Sequence, residues 1–311
     1  MATGGVDTGK QWLDAAIDDG KAPLRCANTD EGRRQLVDFF AARGVRRVGI
    51  EASGGYEIEA VAAMRSAGLE VVVFQPAQVR AYAKFLNQRA KTDRIDALLI
   101  ARCAAAKADV RSAPDPRLEA FAEQLTYIEQ IGEDIARQRT RLDRYRDERL
   151  ITAIKAEIKR LKALERAELR RLRAAVRAHA DLAERLDLLV SIDGLGEKTA
   201  IVLVIRMPEL GSLTNAEAGS LAGMAPVTRE SGRWKGESHV QAGRSRVGRA
   251  IYAAAQAASG QWNKALVDLR KRIKAQGKHH NVAIVACARK LVTYANAVLA
   301  RGKPWTKIKA A

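Results

Sequence analysis

The sequence predicts an α/β domain at the N-terminus followed by an all-α remainder, and three observations point there. From Gly5 to about Lys107, short β-rich runs alternate with helical patterns, the order of a layered α/β domain. After Pro116 the composition shifts to Glu, Arg, Lys, Leu and Ala, with no proline and a lone Gly132 until about Leu189, which favours long helices. From Val190 onward, helical runs are punctuated by Gly- and Ser-rich breaks at Asp193–Gly196, Gly211–Ser212 and Thr228–Gly236. The domains expected are therefore residues 1–110, a helical or coiled-coil connector over 111–188, and a helical domain over 189–311.

Within the first domain, Gly5–Lys10, Trp12–Asp18 and Lys21–Asn28 form a meander, with turns at Thr8-Gly9 and Asp19-Gly20. Asp30–Arg43 spaces Leu36, Val37, Phe39 and Phe40 as a helix that Gly44 stops. Val45–Ala52 is a buried strand, Tyr56–Ala67 a helix ended by Gly68, and Leu69–Gln75 another strand, with Pro76–Lys107 closing the domain mainly as helix. The sum, β-β-β-α-β-α-β-α, is the element order of the ribonuclease H-like fold. In the connector, Leu142, Tyr145, Leu150, Ile154, Ile158, Leu161, Leu164, Leu169 and Leu172 recur at three- and four-residue steps. That pattern fits a helical hairpin or a self-associating coiled coil, and a solvated spacer laced with ion pairs is the alternative.

A chain of 311 residues needs no disulfide or structural metal to bury a core, and 47% hydrophobic with 29% charged residues is ordinary for a folded protein. The net charge of +18 is not ordinary: approach to a polyanion releases condensed counterions, so nucleic acid is the leading partner. Cys26, Cys103 and Cys287 form no C-x-x-C pair, which argues against a zinc knuckle and fits a reducing compartment. No basic n-region and apolar h-region open the chain, so export is not expected. The apolar stretches Ile201–Ile205 and Val282–Ala300 are too short or are interrupted by Arg289 and Lys290, so no membrane partner is expected. No phosphate-loop motif is present.

Chemistry is carried first by carboxylates. Asp7 falls in the first predicted strand, Glu51 at the end of Val45–Ala52, and Asp93 and Asp96 follow Lys91-Thr92 at a helix start. The first and fourth strands of a ribonuclease H-like sheet are neighbours, so Asp7 and Glu51 open on one cleft. Asp93 and Asp96, three apart, share a helix face. Clustered carboxylates need cations, and hard oxygen donors favour Mg²⁺ or Mn²⁺, the ions of nuclease and strand-transfer chemistry. Taken singly, Asp7 could cap a turn, Glu51 could be a surface charge and Asp93 a helix N-cap; the set, in order on the right elements, is the signal.

The second centre is Ser231, in Arg229-Glu230-Ser231-Gly232, where a glycine neighbour permits close approach to phosphate and Arg229, Arg233 and Lys235 supply positive charge. Its bland reading is an ordinary polar loop residue. Gly243-Arg244-Ser245-Arg246-Val247 follows, with Ser245 a second nucleophile candidate and Arg244, Arg246 and Arg249 further phosphate contacts. Ile192–Ala200, with Gly194, Gly196 and Lys198, resembles a helix-hairpin-helix phosphate loop or else is a plain helix-helix turn. His179, His239, His279 and His280 show no metal spacing, and His239 as a base for Ser231 is the weaker reading.

Together, Gly-Val-Asp7, Glu51-Ala-Ser-Gly-Gly-Tyr, Lys-Thr-Asp93-Arg-Ile-Asp96-Ala and Pro226–Tyr252 resemble the DEDD transposases of the Piv-like, IS one-ten insertion-sequence group, the bridge-RNA-guided recombinases, over nearly the whole chain. The resemblance implies a RuvC-like domain whose metal-binding tetrad is Asp7, Glu51, Asp93 and Asp96, and a Ser231 that links covalently to DNA. It also implies double-stranded donor and target DNA, a structured guide (bridge) RNA, a homo-oligomer (dimer or tetramer) whose subunits share an active site, and a bacterial cytoplasmic, nucleoid-associated setting. Two positions depart from the family pattern, Ala242 in place of the first of two glycines and Gly248 in place of an arginine. The rival readings are a metal-dependent ribonuclease H-like or Holliday-junction nuclease using water, and a non-catalytic basic nucleic-acid scaffold.

Overall fold

A computed structural model describes residues 2–20, 23–87, 93–107, 115–227, 230–231, 234–235, 239–240 and 243–306, with the backbone alone for 93–95, 227, 230–231 and 234–235. Two compact units divide the chain, Met1–Pro114 and Asp115–Ala311.

The first unit holds a five-stranded sheet in the order β3-β2-β1-β4-β5, built from β1 (Thr3–Thr8), β2 (Trp12–Ile17), β3 (Leu24–Ala27), β4 (Arg47–Glu51) and β5 (Glu70–Phe74). The meander β1-β2-β3 is antiparallel, whereas β4 joins β1, and β5 joins β4, in parallel. This mixed order is the ribonuclease H-like arrangement that the element succession predicts. The first strand starts and ends two residues earlier than expected, because Gly9 turns the chain by donating its N–H to the Trp12 carbonyl at 2.9 Å. Helices α1 (Asp30–Ala41), α2 (Ile58–Ser66), α3 (Pro76–Phe85) and α4 (Asp93–Ala106) complete the unit. Thr29 starts α1 by accepting the Gly32 N–H on its hydroxyl at 3.3 Å. The stretch expected as mainly helix after Pro76 is thus two helices, with Asn87 at φ 54 beyond the first.

Alternation sorts the sheet into two faces. Val6, Leu13, Ala15, Val48 and Ile50 pack into one core with Leu36, Phe40 and Met64 of α1 and α2, and a Cβ on Gly4 would stand 2.4 Å from the Phe40 ring. On the opposite face a Cβ on Gly5 would stand 2.2 Å from both the Ala97 carbonyl oxygen and the Ala101 nitrogen, so α4 lies directly on β1. Gly49 gives α4 a similar seat on β4, with the Ile100 carbonyl at 2.9 Å. Arg47, which opens β4, donates from its guanidinium to the Lys107 carbonyl at 2.8 Å. The helix therefore runs antiparallel to β4 and presents its first turn toward the ends of the central strands.

In the second unit, α5 (Pro116–Leu142) and α6 (Glu148–Arg177) form a hairpin, each capped by an aspartate, Asp115 and Asp147. Ile131, Ile135, Ile158 and Leu161 make its own seam, flanked by Leu142, Ile154 and Leu164. Farther along, Leu125, Ile128, Leu172 and Val176 join the main core of α7 (Ala180–Val190), α8 (Glu197–Arg206), α9 (Asn215–Leu221), α10 (Ser245–Ala257), α11 (Lys264–Ala275) and α12 (His280–Arg301). The predicted leucine periodicity is thus met inside one chain. By length and composition α12 could cross a bilayer, yet Ala283, Ile284, Cys287, Leu291, Val292, Ala295 and Val298 are all buried within this core. A π-helical turn, Ala258–Trp262, links α10 to α11.

The helical unit also carries two small antiparallel ladders where a loop was expected: β6 (Pro226–Val227) with β9 (His239–Val240), and β7 (Glu230–Ser231) with β8 (Trp234–Lys235). Their base is fixed by backbone contact, since a Cβ on Gly243 (φ +77) would stand 2.4 Å from the Gly223 nitrogen, and Arg244 donates its N–H to the Leu221 carbonyl at 2.8 Å.

Candidate active site

Strand register brings the first two acidic residues side by side. Val6 pairs with Ile50 across β1 and β4, so Asp7 and Glu51, one residue further along each strand, are adjacent and share the face on which Gly5 and Gly49 seat α4. Both are half-buried. On the helix, Asp93 opens α4 four residues before Ala97, in the row that lies over β1; Asp96 stands four before Ile100, in the row over β4. Asp96 is half-buried, and the side chain of Asp93 lies outside the described residues. Two strand ends and one helix start thus bring the four positions to one end of the sheet. Among the described residues, no group of three or more His, Cys, Asp or Glu side chains is drawn close enough to hold a metal ion. The donor set nonetheless consists of carboxylates at the ends of adjacent strands, the hard oxygen chemistry that suits Mg²⁺ or Mn²⁺ and not a soft ion.

The loop after Glu51 is locked in place. Gly54 (φ +79) and Gly55 (φ +118) take backbone angles that side chains resist. One carboxylate oxygen of Glu57 accepts from the Ser53 N–H at 3.0 Å, the Ser53 hydroxyl at 3.0 Å and the Gly55 N–H at 2.8 Å. Burial pushes the Glu57 pKa up, but these hydrogen bonds outweigh it and hold the group below the ordinary glutamate value. A depressed folded-state value means that Glu57 adds stability above the unfolded value, about 4.3, and that this share is lost as pH falls through the lower folded one. Glu57→Gln is expected to lower the melting temperature near neutral pH and to flatten its decline in acid, a comparison that thermal melts at several pH values will make.

Asp14 and Arg25 are site neighbours that sequence reasoning missed. In the antiparallel register Asp14 pairs with Asp7 on one side and with Arg25 on the other. Asp14 is only 7% exposed, and Arg25 grips both its oxygens at 2.9 and 2.8 Å. Alternation alone could have placed Asp14 on the inner face, but nothing local marks its partner.

In the second unit, Ser231 and Lys235 lie on the β7-β8 ladder, where only the backbone is described, and Arg229 and Arg233 lie outside the described residues. Ser245 is the first residue of α10. The other proposed phosphate contacts are engaged within the protein. Arg244 bonds both oxygens of Glu209, at 2.8 and 2.6 Å, and the Arg206 carbonyl at 2.6 Å. Arg246 bonds Glu129, which also holds the half-buried Arg206 at 3.1 Å; Arg249 bonds Glu133 at 3.0 Å, and Lys198 bonds Glu165 at 2.5 Å. Positive charge without acidic neighbours in sequence collects elsewhere: no Asp or Glu follows Asp268, while Lys271, Arg272, Lys274 and Lys278 are exposed on and after α11. The Ile192–Ala200 turn is a tight junction. Gly194 (φ +85) leaves no room for a Cβ beside Ala258, and the Asn263 amide donates to the Asp193 carbonyl at 3.1 Å. Gly248, one of the two departures noted above, packs against the Ala222 carbonyl, where a Cβ would stand a tight 3.0 Å from the oxygen.

A ribonuclease H-like sheet with acids at its strand ends, joined to a helical unit bearing a serine on a small ladder, is the build of a DNA strand-transfer enzyme. Comparison with known proteins places it further. Residues 4–150 match the DEDD IS110 model, described as "Transposase", and residues 186–271 match "Transposase IS116/IS110/IS902 family". The chain belongs to this transposase family and is a DNA transposase/recombinase. It is 27% identical to the pilin gene-inverting proteins of Moraxella bovis and of Moraxella lacunata, with 97% of this chain and 97% of each relative covered. Two RuvC structures from Thermus thermophilus, one in complex with Holliday junction substrate, overlay at TM-scores of 0.28 and 0.26 with 15% and 16% identity, over 34% of this chain and 93% of theirs.

Proposed function

We propose that this transposase cuts and rejoins double-stranded donor and target DNA with Asp7, Glu51, Asp93 and Asp96 as a metal-holding site and Ser231 as nucleophile. The observation that carries the reading is the strand register that sets Asp7 beside Glu51 at the end of the sheet where α4 begins. Divalent ions held there would supply charge neutralisation at the scissile phosphate. Ser231 Oγ forms a bond to phosphorus as the bond to the 3′ oxygen breaks; the serine proton goes to a basic group, and the departing oxygen takes up a proton from an acidic group or water and leaves as a 3′ hydroxyl. A 3′ hydroxyl then attacks the phosphoserine, displacing Ser231 and restoring a phosphodiester. The bond energy stays in the linkage, so no nucleotide is hydrolysed. Residues 1–110 act as the catalytic domain, 111–188 as connector and 189–311 as the serine-bearing domain. A structured guide RNA directs the reaction, and a dimer or tetramer in the bacterial cytoplasm completes the site.

Denaturing gels of the protein reacted with labelled DNA and Mg²⁺ test the nucleophile. A protein-linked strand is expected with the parent and none with Ser231→Ala; metal-dependent nicking that persists in Ser231→Ala with no adduct in either protein means that water is the nucleophile.

A further inference from the structure

A cleft of about 620 Å³ opens in the helical unit between the end of α7, the turn into α8 and the last turns of α10. Its walls are mostly apolar, Val190, Ile192, Leu195, Ala253, Ala257 and Trp262, with Asp193 and Thr199 as polar groups among them. Trp262 is 63% exposed and Val190 39%, so water meets an apolar surface that the core does not claim. The backbone under the tryptophan is fixed. Asn263, buried beside it, donates its backbone N–H to the Ala258 carbonyl at 2.9 Å and its side-chain amide to the Asp193 carbonyl at 3.1 Å, while its amide oxygen accepts the Leu266 N–H at 3.3 Å. One asparagine thus ties the π-helical turn to a wall of the cleft and to the start of α11. A ring carried on so fixed a backbone loses little freedom when a ligand covers it.

Positive charge begins where the cleft ends. Eleven Lys and Arg side chains and no Asp or Glu follow Asp268, against a net charge of +18 for the whole chain. Helix α11 turns Leu266 and Leu269 to the core, which leaves Lys271, Arg272 and Lys274 outward and exposed. Lys264 leans on Asp268 at 3.5 Å, whereas Lys271, Arg272 and Lys274 have no ion pair among the described residues. From Lys264, two residues past Trp262, to Lys274 the helix advances ~15 Å.

We propose that this surface binds an unpaired stretch of DNA, with one base stacked on Trp262 in the cleft and neighbouring phosphates on the cations of α11. An open aromatic ring beside a row of unpaired cations suits a single strand: the ring takes the π-face that every base carries, and the cations take the backbone. Duplex DNA hides those faces in its own stack, and exchanging strands between duplexes, the work of a DNA transposase/recombinase, uncovers them. The surface uses neither the acidic positions nor Ser231, so it stands whichever group is the nucleophile.

Fluorescence anisotropy of the full-length protein with labelled oligodeoxythymidine, in the absence of divalent metal so that no strand is cut, tests the site. The same strand paired with oligodeoxyadenosine and a matching oligouridine are the comparisons, and circular dichroism confirms folding. Trp262→Ala is expected to bind oligodeoxythymidine about tenfold more weakly than the parent or worse, the scale of one lost base stack, and to bind the duplex within about twofold of the parent. Replacing Lys271, Arg272 and Lys274 together by alanine lowers the slope of log affinity against log salt by about 2, whereas Trp262→Ala leaves that slope unchanged. A folded Trp262→Ala protein that binds the single strand like the parent overturns the proposal, as does an equal loss on single strand and duplex, or a parental salt slope in the triple variant. A loss confined to oligouridine assigns the surface to RNA and overturns it too; a changed mass in sedimentation with DNA binding intact assigns it to a second copy of this chain, with the same consequence. If Trp262→Ala does not fold, Trp262→Phe decides: oligodeoxythymidine is expected to quench the tryptophan fluorescence of the parent and to quench that of the phenylalanine variant less, and equal quenching in the two overturns the proposal.

Discussion

Asp7→Asn is expected to reduce strand cleavage and rejoining about a thousandfold or more, a loss of ~4 kcal/mol in transition-state stabilisation. The substitution keeps the size and one oxygen of the side chain and removes its charge from a row in which Asp14, Asp7 and Glu51 are register neighbours. A fall this large with the fold intact is the mark of a group that acts on the reacting phosphate and not on packing. The protein should still melt cooperatively within a few degrees of the parent, and a rise in melting temperature with Mn²⁺ is expected for the parent and not for the variant. Recombination assays alongside thermal melts with and without Mn²⁺ make the measurement. Parental activity in Asp7→Asn means the acidic row is structural and the catalytic centre lies elsewhere.

Gly5→Ala is the second large effect, and it acts through packing. The added methyl would stand 2.2 Å from two backbone atoms of α4, the Ala97 oxygen and the Ala101 nitrogen. Backbone cannot rotate away as a side chain can, so the whole helix must lift. Overpacking of this kind costs about 3 kcal/mol, which for a domain of this size lowers the melting temperature by about 10 °C or more. Because α4 begins with Asp93 and carries Asp96 in its first turn, activity should fall even well below the new melting temperature. Gly49→Ala is the milder comparison: its closest contacts, at 2.9 Å, are the Ala104 methyl, the Ile100 carbonyl and the Phe74 ring. Melts and activity at a temperature where all three proteins are folded separate the two effects. A Gly5→Ala protein as stable and active as the parent means α4 does not rest on β1.

How much of this was legible in advance depends on how far apart the interacting residues lie. Asp7 and Glu51 could be placed because each closes a short apolar run whose period is two, and the succession of strands and helices fixes which runs are neighbours. The seat of α4 was not legible in detail, since Gly5 and Gly49 matter for what lies above them. Asp14 escaped notice because its importance comes from register: one residue of slip would have turned it into the core. The ion pairs of the second unit were the least legible. Local composition around Arg244, Arg246 and Arg249 says nothing of their carboxylate partners Glu209, Glu129 and Glu133, which lie 35, 117 and 116 positions away. The leucine steps of the connector gave the helices and offered a hairpin as one arrangement, and α5 and α6 do pack on one another along such a seam.

The consecutive glycines of β1 have a consequence for how damage spreads. With the Phe40 ring pressed on one side at Gly4 and a helix backbone on the other at Gly5, the strand is a partition one main chain thick. Nothing there is compressible enough to buffer a disturbance. Crowding or hollowing of the oily interior at Phe40 would press through β1 on the helix that carries Asp93 and Asp96, so lesions well away from any carboxylate would look, in a functional screen, like lesions of those acids.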